Sequence, residues 1–434
     1  MNERLQAGID FSQKRADFCL LAPSGLIIER HRRFSNSRPG YEEAKAMLLK
    51  VLTRQHFQGL DVAGEATNVY WLPFFWELAR DPELAAHDVQ LFLLNPRWVK
   101  YYKQCFAPDH KSDADDPFYI ADRLRTRHPT VAWSAQLDTQ PLRLYTRLRF
   151  HLIQNLAREK CYLAGYLFLR ASAYSSYRPF SDPFGMTSRR LLREDWNLER
   201  LATLSVEELA QHLDELSEHH LPDPLANARK LCAVAHQSFR VPQTLNLPLQ
   251  RLTDLILQEI AFLETQITQA DSWITAEAQQ HPGVHLLDTI PGIGPVFASG
   301  ILAEIGSVER FLQGPKWDPK HKTYRARNLR DAEDAVAKIA GLWWPRNSSG
   351  DFDAEDRRLS KSGNRYLRYY LIEAADRMRQ NIPEYQRFYA SKYAEALKHQ
   401  HKRALVLTAR KSVGLIVGLL HRHESYRSKE VDST

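Results

Sequence analysis

Between Leu5 and Phe34 the chain is rich in strand-forming apolar residues, interrupted by the turn formers Pro23-Ser24-Gly25. This pattern predicts a β-hairpin built from Leu5–Leu21 and Leu26–Phe34. Pro39-Gly40 opens a stretch of helical spacing that runs to about Arg54. Leu60–Glu65 reads as a short strand ending in an acid, and Trp71–Arg80 as a helix. Val89–Leu94 is an apolar strand closed by Asn95-Pro96, and a helix is expected from about Asp113 to Arg125. Strands alternating with helices predict a parallel or mixed sheet with helices on its faces.

From Gln140 to about His281 the pattern changes to long helices. Leu142–Ala173 contains no Pro and one Gly, so it could extend ~48 Å at 1.5 Å per residue. The Ser/Pro/Gly-rich stretch Ser175–Ser188 breaks it, and Val206–His219 and Asn227–Phe239 are shorter helices. Leu249–Ala276 places apolar residues at 249, 252, 256, 260, 263, 267, 270 and 274. These alternating steps of three and four fit a coiled-coil seam, and equally a helix packed inside a bundle. The last part starts near Leu286 and is mostly helical, with loops expected at Pro315–Arg325 and Trp344–Leu359. From Asn364 a helix carries Leu367, Leu371, Ala374 and Met378 as its apolar stripe.

A chain of 434 residues exceeds one hydrophobic core, so two or three domains are expected. Its 44% hydrophobic and 26% charged content excludes wholesale disorder. Four cysteines without paired spacing argue against a disulfide scaffold or a CxxC zinc ribbon, and fit a reducing compartment. No apolar run reaches the ~18 residues of a spanning helix, Ser412–Leu420 being the nearest, and the first residues show no apolar signal region. No membrane association and a cytoplasmic location are expected. Net charge is +7 and uneven. Residues 316–434 hold 25 Lys and Arg against 15 Asp and Glu, a balance of +10, and the remainder is at −3. A basic C-terminal part fits a polyanionic partner such as nucleic acid, and also a merely solvated face.

Three constellations carry candidate chemistry. The first is acidic: Asp10 inside an apolar strand, Glu65 at a strand end, and Asp113 and Asp116 three residues apart at a helix start. Buried acids need a partner or a metal, and four such carboxylates could converge on Mg²⁺, a hard cation that prefers oxygen ligands. Pro117 suits a first helical turn, so the helix would begin near Asp115, which remains a rival to Asp116. Each acid read singly could instead be a turn or cap residue.

The second constellation is Ile290-Pro291-Gly292-Ile293-Gly294-Pro295. Gly292 and Gly294 leave backbone amides uncovered before a helix that Pro295 can start, as in a helix-hairpin-helix that grips a phosphate backbone. The plain alternative is a tight turn between helices. The third is the loop Gly341–Gly350 with Ser348-Ser349-Gly350, leading into Ser360-Lys361-Ser362-Gly363-Asn364-Arg365 and Arg368. A serine flanked by Lys361, Arg365 and Arg368 could attack a phosphodiester, because the cations would stabilise developing charge, although most such loops are only loops.

In this order the motifs resemble the DEDD transposase family of bacterial insertion sequences, over nearly the whole chain. The N-terminal resemblance rests on Gly8-Ile9-Asp10, Gly64-Glu65-Ala66-Thr67, Asn95-Pro96-Arg97-Trp98-Val99-Lys100 and Lys111–Asp116. The C-terminal resemblance rests on Ile290–Pro295, Ala303-Glu304-Ile305-Gly306, Arg310-Phe311, Gly341-Leu342, Ser348-Ser349-Gly350 and Ser360–Arg368.

The resemblance implies an α/β RuvC-like domain of RNase H fold over residues 1–135, a helical coiled-coil oligomerisation region over 136–282, and a mostly α transposase domain over 283–434. It implies that Asp10, Glu65, Asp113 and Asp116 are catalytic and bind Mg²⁺. The family serine falls on Ser349, with Ser348 adjacent, as the nucleophile. It further implies dimers or tetramers, with acids of one subunit meeting the serine of another. The DNA partners would be donor and target duplexes, a structured bridge RNA would guide the choice, and the protein would be nucleoid-associated. Two rivals stand beside this reading. A metal-dependent junction nuclease needs the acids without the serine, and a non-catalytic helix-hairpin-helix DNA-binding protein needs neither. A sugar-kinase-like ATPase is disfavoured, since Phe11-Ser12-Gln13 lacks the glycines of a phosphate loop.

Overall fold

The computed structural model describes residues 4–66, 68–106, 115–126, 132–133, 139–194, 198–345, 348–349, 352–353 and 357–428. Two compact units emerge. The first comprises residues 1–140, 305–365 and 388–434, and the second comprises 141–304 and 366–387.

The first unit opens with β1 (Arg4–Phe11), β2 (Arg15–Leu21) and β3 (Ile27–Ser35). The run expected as one strand is therefore two. The four polar residues Ser12–Arg15 reverse the chain, with Ser12 N–H donating to the Arg15 carbonyl at 2.9 Å. There follow α1 (Arg38–Arg54), β4 (Gly59–Glu65), α2 (Leu72–Arg80), α3 (Pro82–Ala85), β5 (Val89–Leu94), α4 (Pro96–Phe106) and α5 (Asp116–Thr126). The sheet is mixed, in the order β3-β2-β1-β4-β5, with β2 antiparallel to β1 and β4 parallel to β1 and β5. One face packs Leu5, Ala7, Ile9 and Phe11 against Tyr41, Leu48, Phe74 and Phe75 of α1 and α2. The other packs Ala63, Phe92 and Leu94 against Val99, Ile120 and Leu124 of α4 and α5.

Most of the second unit is helical: α6 (Gln140–Arg170), α7 (Tyr174–Tyr177), α8 (Met186–Arg193), α9 (Leu198–Thr203), α10 (Val206–Leu216), α11 (Pro224–Gln237), α12 (Asn246–Ala278), α13 (Pro282–Asp288) and α14 (Pro295–Ile305). The Arg149–Asp271 ion pair, Lys160–Glu264 at 3.8 Å and Arg170–Gln250 at 2.6 Å tie α6 to α12. Rising numbers on one helix meet falling numbers on the other, so the two helices are antiparallel. The apolar stripe of α12 is thus buried within the chain. Leu257 and Ile260 join Leu163, Leu167, Leu213 and Leu231 in one core. Its first half is also rotated from expectation. Thr253 and Leu257 are buried where Leu252 and Ile256 were expected, and Leu252 is 39% exposed. Thr253 tolerates burial because its hydroxyl donates to the Leu249 carbonyl at 2.7 Å.

The chain returns to the first unit with β6 (Pro315–Asp318), β7 (Thr323–Ala326), α15 (Leu329–Ala340), β8 (Ser348–Ser349) and β9 (Phe352–Asp353). Both segments expected as loops therefore hold antiparallel strand pairs. The final helices are α16 (Arg365–Asn381), α17 (Pro383–Ala394) and α18 (Gln400–Arg422). On α16, Leu367, Leu371, Ala374 and Met378 are fully buried, as the stripe predicts. Against the expectation that no such segment exists, α18 is long and apolar enough to cross a membrane by length and composition. Its Thr408, Val413, Ile416 and Val417 are nevertheless fully buried within the protein.

Candidate active site

The acids are positioned by strand register. β1 and β4 run parallel with Gly8 beside Ala63 and Ile9 beside Gly64. One residue further on, Asp10 and Glu65 lie side by side. Side chains alternate along a strand, so the neighbours of each acid fix its direction. A Cβ on Gly64 would meet Phe75 and Phe11, which places Glu65 on the opposite face. A Cβ on Gly8 would lie 2.2 Å from the Pro117 carbonyl and 2.4 Å from the Ala121 nitrogen, so Asp10 shares the face covered by α5. Asp10 and Glu65 therefore both point to that face, at the C-terminal ends of central strands, and both are partly buried.

Glycine at position 8 is what lets α5 touch the backbone of β1. The helix begins at Asp116 with Pro117 in its first turn. The Asp116 carboxylate accepts from Lys103 Nζ of α4, and Asp115 accepts from Arg30 Nη2 at 2.7 Å. Asp113 lies outside the described residues. Asp17, which no sequence motif singles out, sits directly opposite Asp10 on β2. Its buried carboxylate accepts from Arg33 Nε at 2.8 Å and pairs with His31 Nε2 at 2.7 Å. Those partners lie on β3, far enough along the chain that only the sheet register reveals them.

Hard oxygen donors at neighbouring strand ends suit a divalent cation. Among the described residues, however, no group of three or more His, Cys, Asp or Glu is gathered tightly enough to hold one. The register brings Asp10 and Glu65 together, whereas Asp116 is engaged by Lys103.

The same edge of the sheet leads to the C-terminal motifs. The Asn95 side chain accepts from the Arg97 backbone N–H at 2.9 Å, opening α4 just after β5. Arg97 Nη1 in turn donates to the Ser362 hydroxyl at 3.5 Å, joining the Asn95-Pro96-Arg97 and Ser360–Asn364 motifs within one unit. The serine loop leaves and re-enters through a backbone clasp. Ser360 N–H donates to the Trp343 carbonyl at 3.0 Å, and Asn364 N–H to the Ile339 carbonyl at 2.6 Å. Within the loop, Ser348 pairs with Asp353 and Ser349 with Phe352. The Ser349 and Ser348 side chains lie outside the described residues. Lys361 and Arg365 are exposed, while Arg368 is partly buried, and that burial holds its guanidinium below the ordinary arginine value.

In the second unit, the glycine hairpin joins α13 to α14. The two glycines differ. Gly292 has φ +91°, and a Cβ there would lie 2.7 Å from Asn381 Nδ2 and 3.0 Å from Arg377 on α16. A Cβ on Gly294 would meet open space. A side chain at position 292 is therefore barred by packing, whereas position 294 has room for one. Glu304, of the Ala303-Glu304 motif, is buried and accepts two bonds from Arg147 at 2.6 and 2.9 Å, which makes it a helix tie.

A mixed α/β sheet with acids at the ends of its central strands, followed by helical and basic segments, defines a DNA-processing enzyme class once the comparisons are added. A DEDD-type IS110 transposase model matches residues 7–169, and the model of the transposase IS116/IS110/IS902 family matches residues 284–316 and 325–390. An insertion element IS900 uncharacterized 42 kDa protein from Mycobacterium paratuberculosis is 22% identical over 366 residues, covering 79% of each chain. The chain belongs to the IS110/IS116/IS902 family of insertion-sequence transposases, and is a transposase/recombinase enzyme. The family implies DNA substrates and suggests use of a divalent metal.

Proposed function

We propose that this transposase is an RNA-guided DNA recombinase that cuts and rejoins donor and target DNA through a serine-linked intermediate, on a RuvC-like (RNase H fold) frame. The observation that carries the reading is the placement of Asp10 and Glu65 side by side on one face of the sheet. With Asp113 and Asp116 they would hold Mg²⁺, Asp116 first leaving Lys103. A bound cation there would stabilise charge on the phosphoryl oxygens.

Ser349 is the nucleophile in this reading. Its hydroxyl oxygen bonds to phosphorus as the bond to a deoxyribose oxygen breaks, and the departing oxygen takes a proton. A DNA hydroxyl later attacks the same phosphorus and frees the serine, so each phosphodiester broken is matched by one formed. Lys361, Arg365 and Arg368 stabilise charge near the loop, and the Gly292–Gly294 hairpin grips backbone phosphates. A structured bridge RNA supplies target and donor choice. The acids of one subunit act with the serine of another in a dimer or tetramer, in the cytoplasm.

The test is to incubate the protein with its bridge RNA, donor and target DNA and Mg²⁺, denature it, and look for a covalent protein–DNA adduct. Wild type and Ser348→Ala are expected to form the adduct, and Ser349→Ala to form none while still binding DNA. Cleavage without any adduct in the wild type would replace this reading with a hydrolytic junction nuclease.

A further inference from the structure

Residues 316–330 carry six Lys and Arg against one Asp, and their centre is the β6–β7 hairpin. Lys316 stands opposite Arg325, and Trp317 opposite Tyr324. Side chains alternate, so the hairpin has two unlike faces. On one face Lys316 Nζ and Arg325 Nη1 both donate to Asp331 at 2.6 Å. Asp331 is buried and closes the capping box of α15 with Asn328, so this face is fastened to a helix.

The other face is open. Trp317 is 48% and Tyr324 67% exposed, with ring centroids 5.2 Å apart. The tip presents exposed Lys320, His321 and Lys322 in an ordered turn, where Asp318 accepts from the Lys320 N–H at 2.9 Å and pairs with His321 Nδ1 at 2.8 Å. The match to the family model stops at residue 316 and resumes at 325, so Trp317–Tyr324 lies outside the shared pattern.

Two paired aromatic rings held out on an anchored hairpin, beside a cationic tip, suit a ligand with flat π-faces and negative charges. Unpaired nucleic acid has both, and such sites hold bases by stacking and phosphates by charge. A duplex buries its base faces, and a single strand supplies both a π-face for each ring and a phosphate for each lysine. We propose that the β6–β7 hairpin is a stacking site for an unpaired DNA strand. Its bases lie on Trp317 and Tyr324, and its phosphates face Lys320 and Lys322. The choice of DNA rests on the reading of the chain as a DNA-processing enzyme, since single strands appear wherever a duplex is opened for exchange.

The test uses full-length protein and labelled oligodeoxythymidine, oligouridine and a DNA duplex, with thermal melting to confirm folding. Replacing both Trp317→Ala and Tyr324→Ala is expected to raise the Kd for oligodeoxythymidine at least about tenfold, and to leave duplex affinity within about twofold. Replacing both Lys320→Ala and Lys322→Ala is expected to lower the slope of log Kd against log salt by roughly 1.4 for the single strand. Unchanged oligodeoxythymidine affinity, an equal loss on the duplex, or a loss confined to oligouridine would each overturn the proposal. The readout is strand binding and not catalysis, so absence of a serine adduct would strike the catalytic reading and leave this one standing.

Discussion

Asp10 and Glu65 end two adjacent parallel strands with their side chains on the same face of the sheet. Like charges so placed repel unless a cation lies between or beside them. Around them, Asp17 pairs with His31 and Arg33, Asp115 with Arg30, and Asp116 with Lys103. The edge is thus built around compensated carboxylates, and its geometry depends on how closely α5 approaches β1.

That approach makes Gly8 a sensitive position. An alanine there would put Cβ 2.2 Å from the Pro117 carbonyl, a backbone atom that cannot rotate away. Overpacking of this kind costs about 1–3 kcal/mol, or roughly 1–3 °C in a chain of this size. Calorimetry on Gly8→Ala is expected to show that drop. DNA cleavage should fall further than stability does, because α5 carries Asp116. A melting temperature within 1 °C of wild type would show that the helix does not rest on this residue.

The two glycines of the hairpin differ in the room that a side chain would have. Gly292→Ala meets both a left-handed backbone and the Asn381 side chain, so a loss of about 1–3 kcal/mol is expected by denaturant unfolding. Gly294→Ala meets open space and should change stability by less than about 0.5 kcal/mol. Any loss of duplex affinity in Gly294→Ala then reports on phosphate contact. Equal destabilisation by the two substitutions would contradict this division.

Asp331 gives the first unit a pH dependence of definite sign. The Arg325 guanidinium, with Lys316, holds its carboxyl well below the usual carboxylate range. A carboxyl depressed in the folded state stabilises the fold at every pH above its unfolded value, near 3.8, and that contribution drains away as pH falls further. Asp331→Asn is therefore expected to lower stability by about 1–3 kcal/mol at pH 7. The gap from wild type should shrink as pH falls below about 4. A gap that is constant with pH would mean that the carboxylate charge plays no part.

Local signals in the sequence carried much of this structure, and non-local ones did not. Pro39, Leu60–Glu65 and Val89–Leu94 marked α1, β4 and β5 because capping and apolar runs act over a few residues. Asp10 and Glu65 stood out because an acid in an apolar strand is costly wherever it lies. Asp17 stayed hidden because its partners lie on β3, and Gly8 carried no sign that Ala121 would sit on it. Pro315 and Pro319 made the β6–β7 segment read as a loop, although a two-stranded edge hairpin tolerates proline at its ends. On α12 the apolar spacing left the exact face open, and Thr253 can lie on the buried one because its hydroxyl is satisfied within the helix.

The central claim is that Asp10 and Glu65 share a divalent cation. Binding of Mn²⁺, a spectroscopic substitute for Mg²⁺, can be followed by electron paramagnetic resonance on wild type, Asp10→Asn and Glu65→Gln, each shown to be folded by its melting curve. The account predicts a saturable site in the wild type, with affinity lowered at least about tenfold in either variant. Equal Mn²⁺ binding by all three proteins would contradict it.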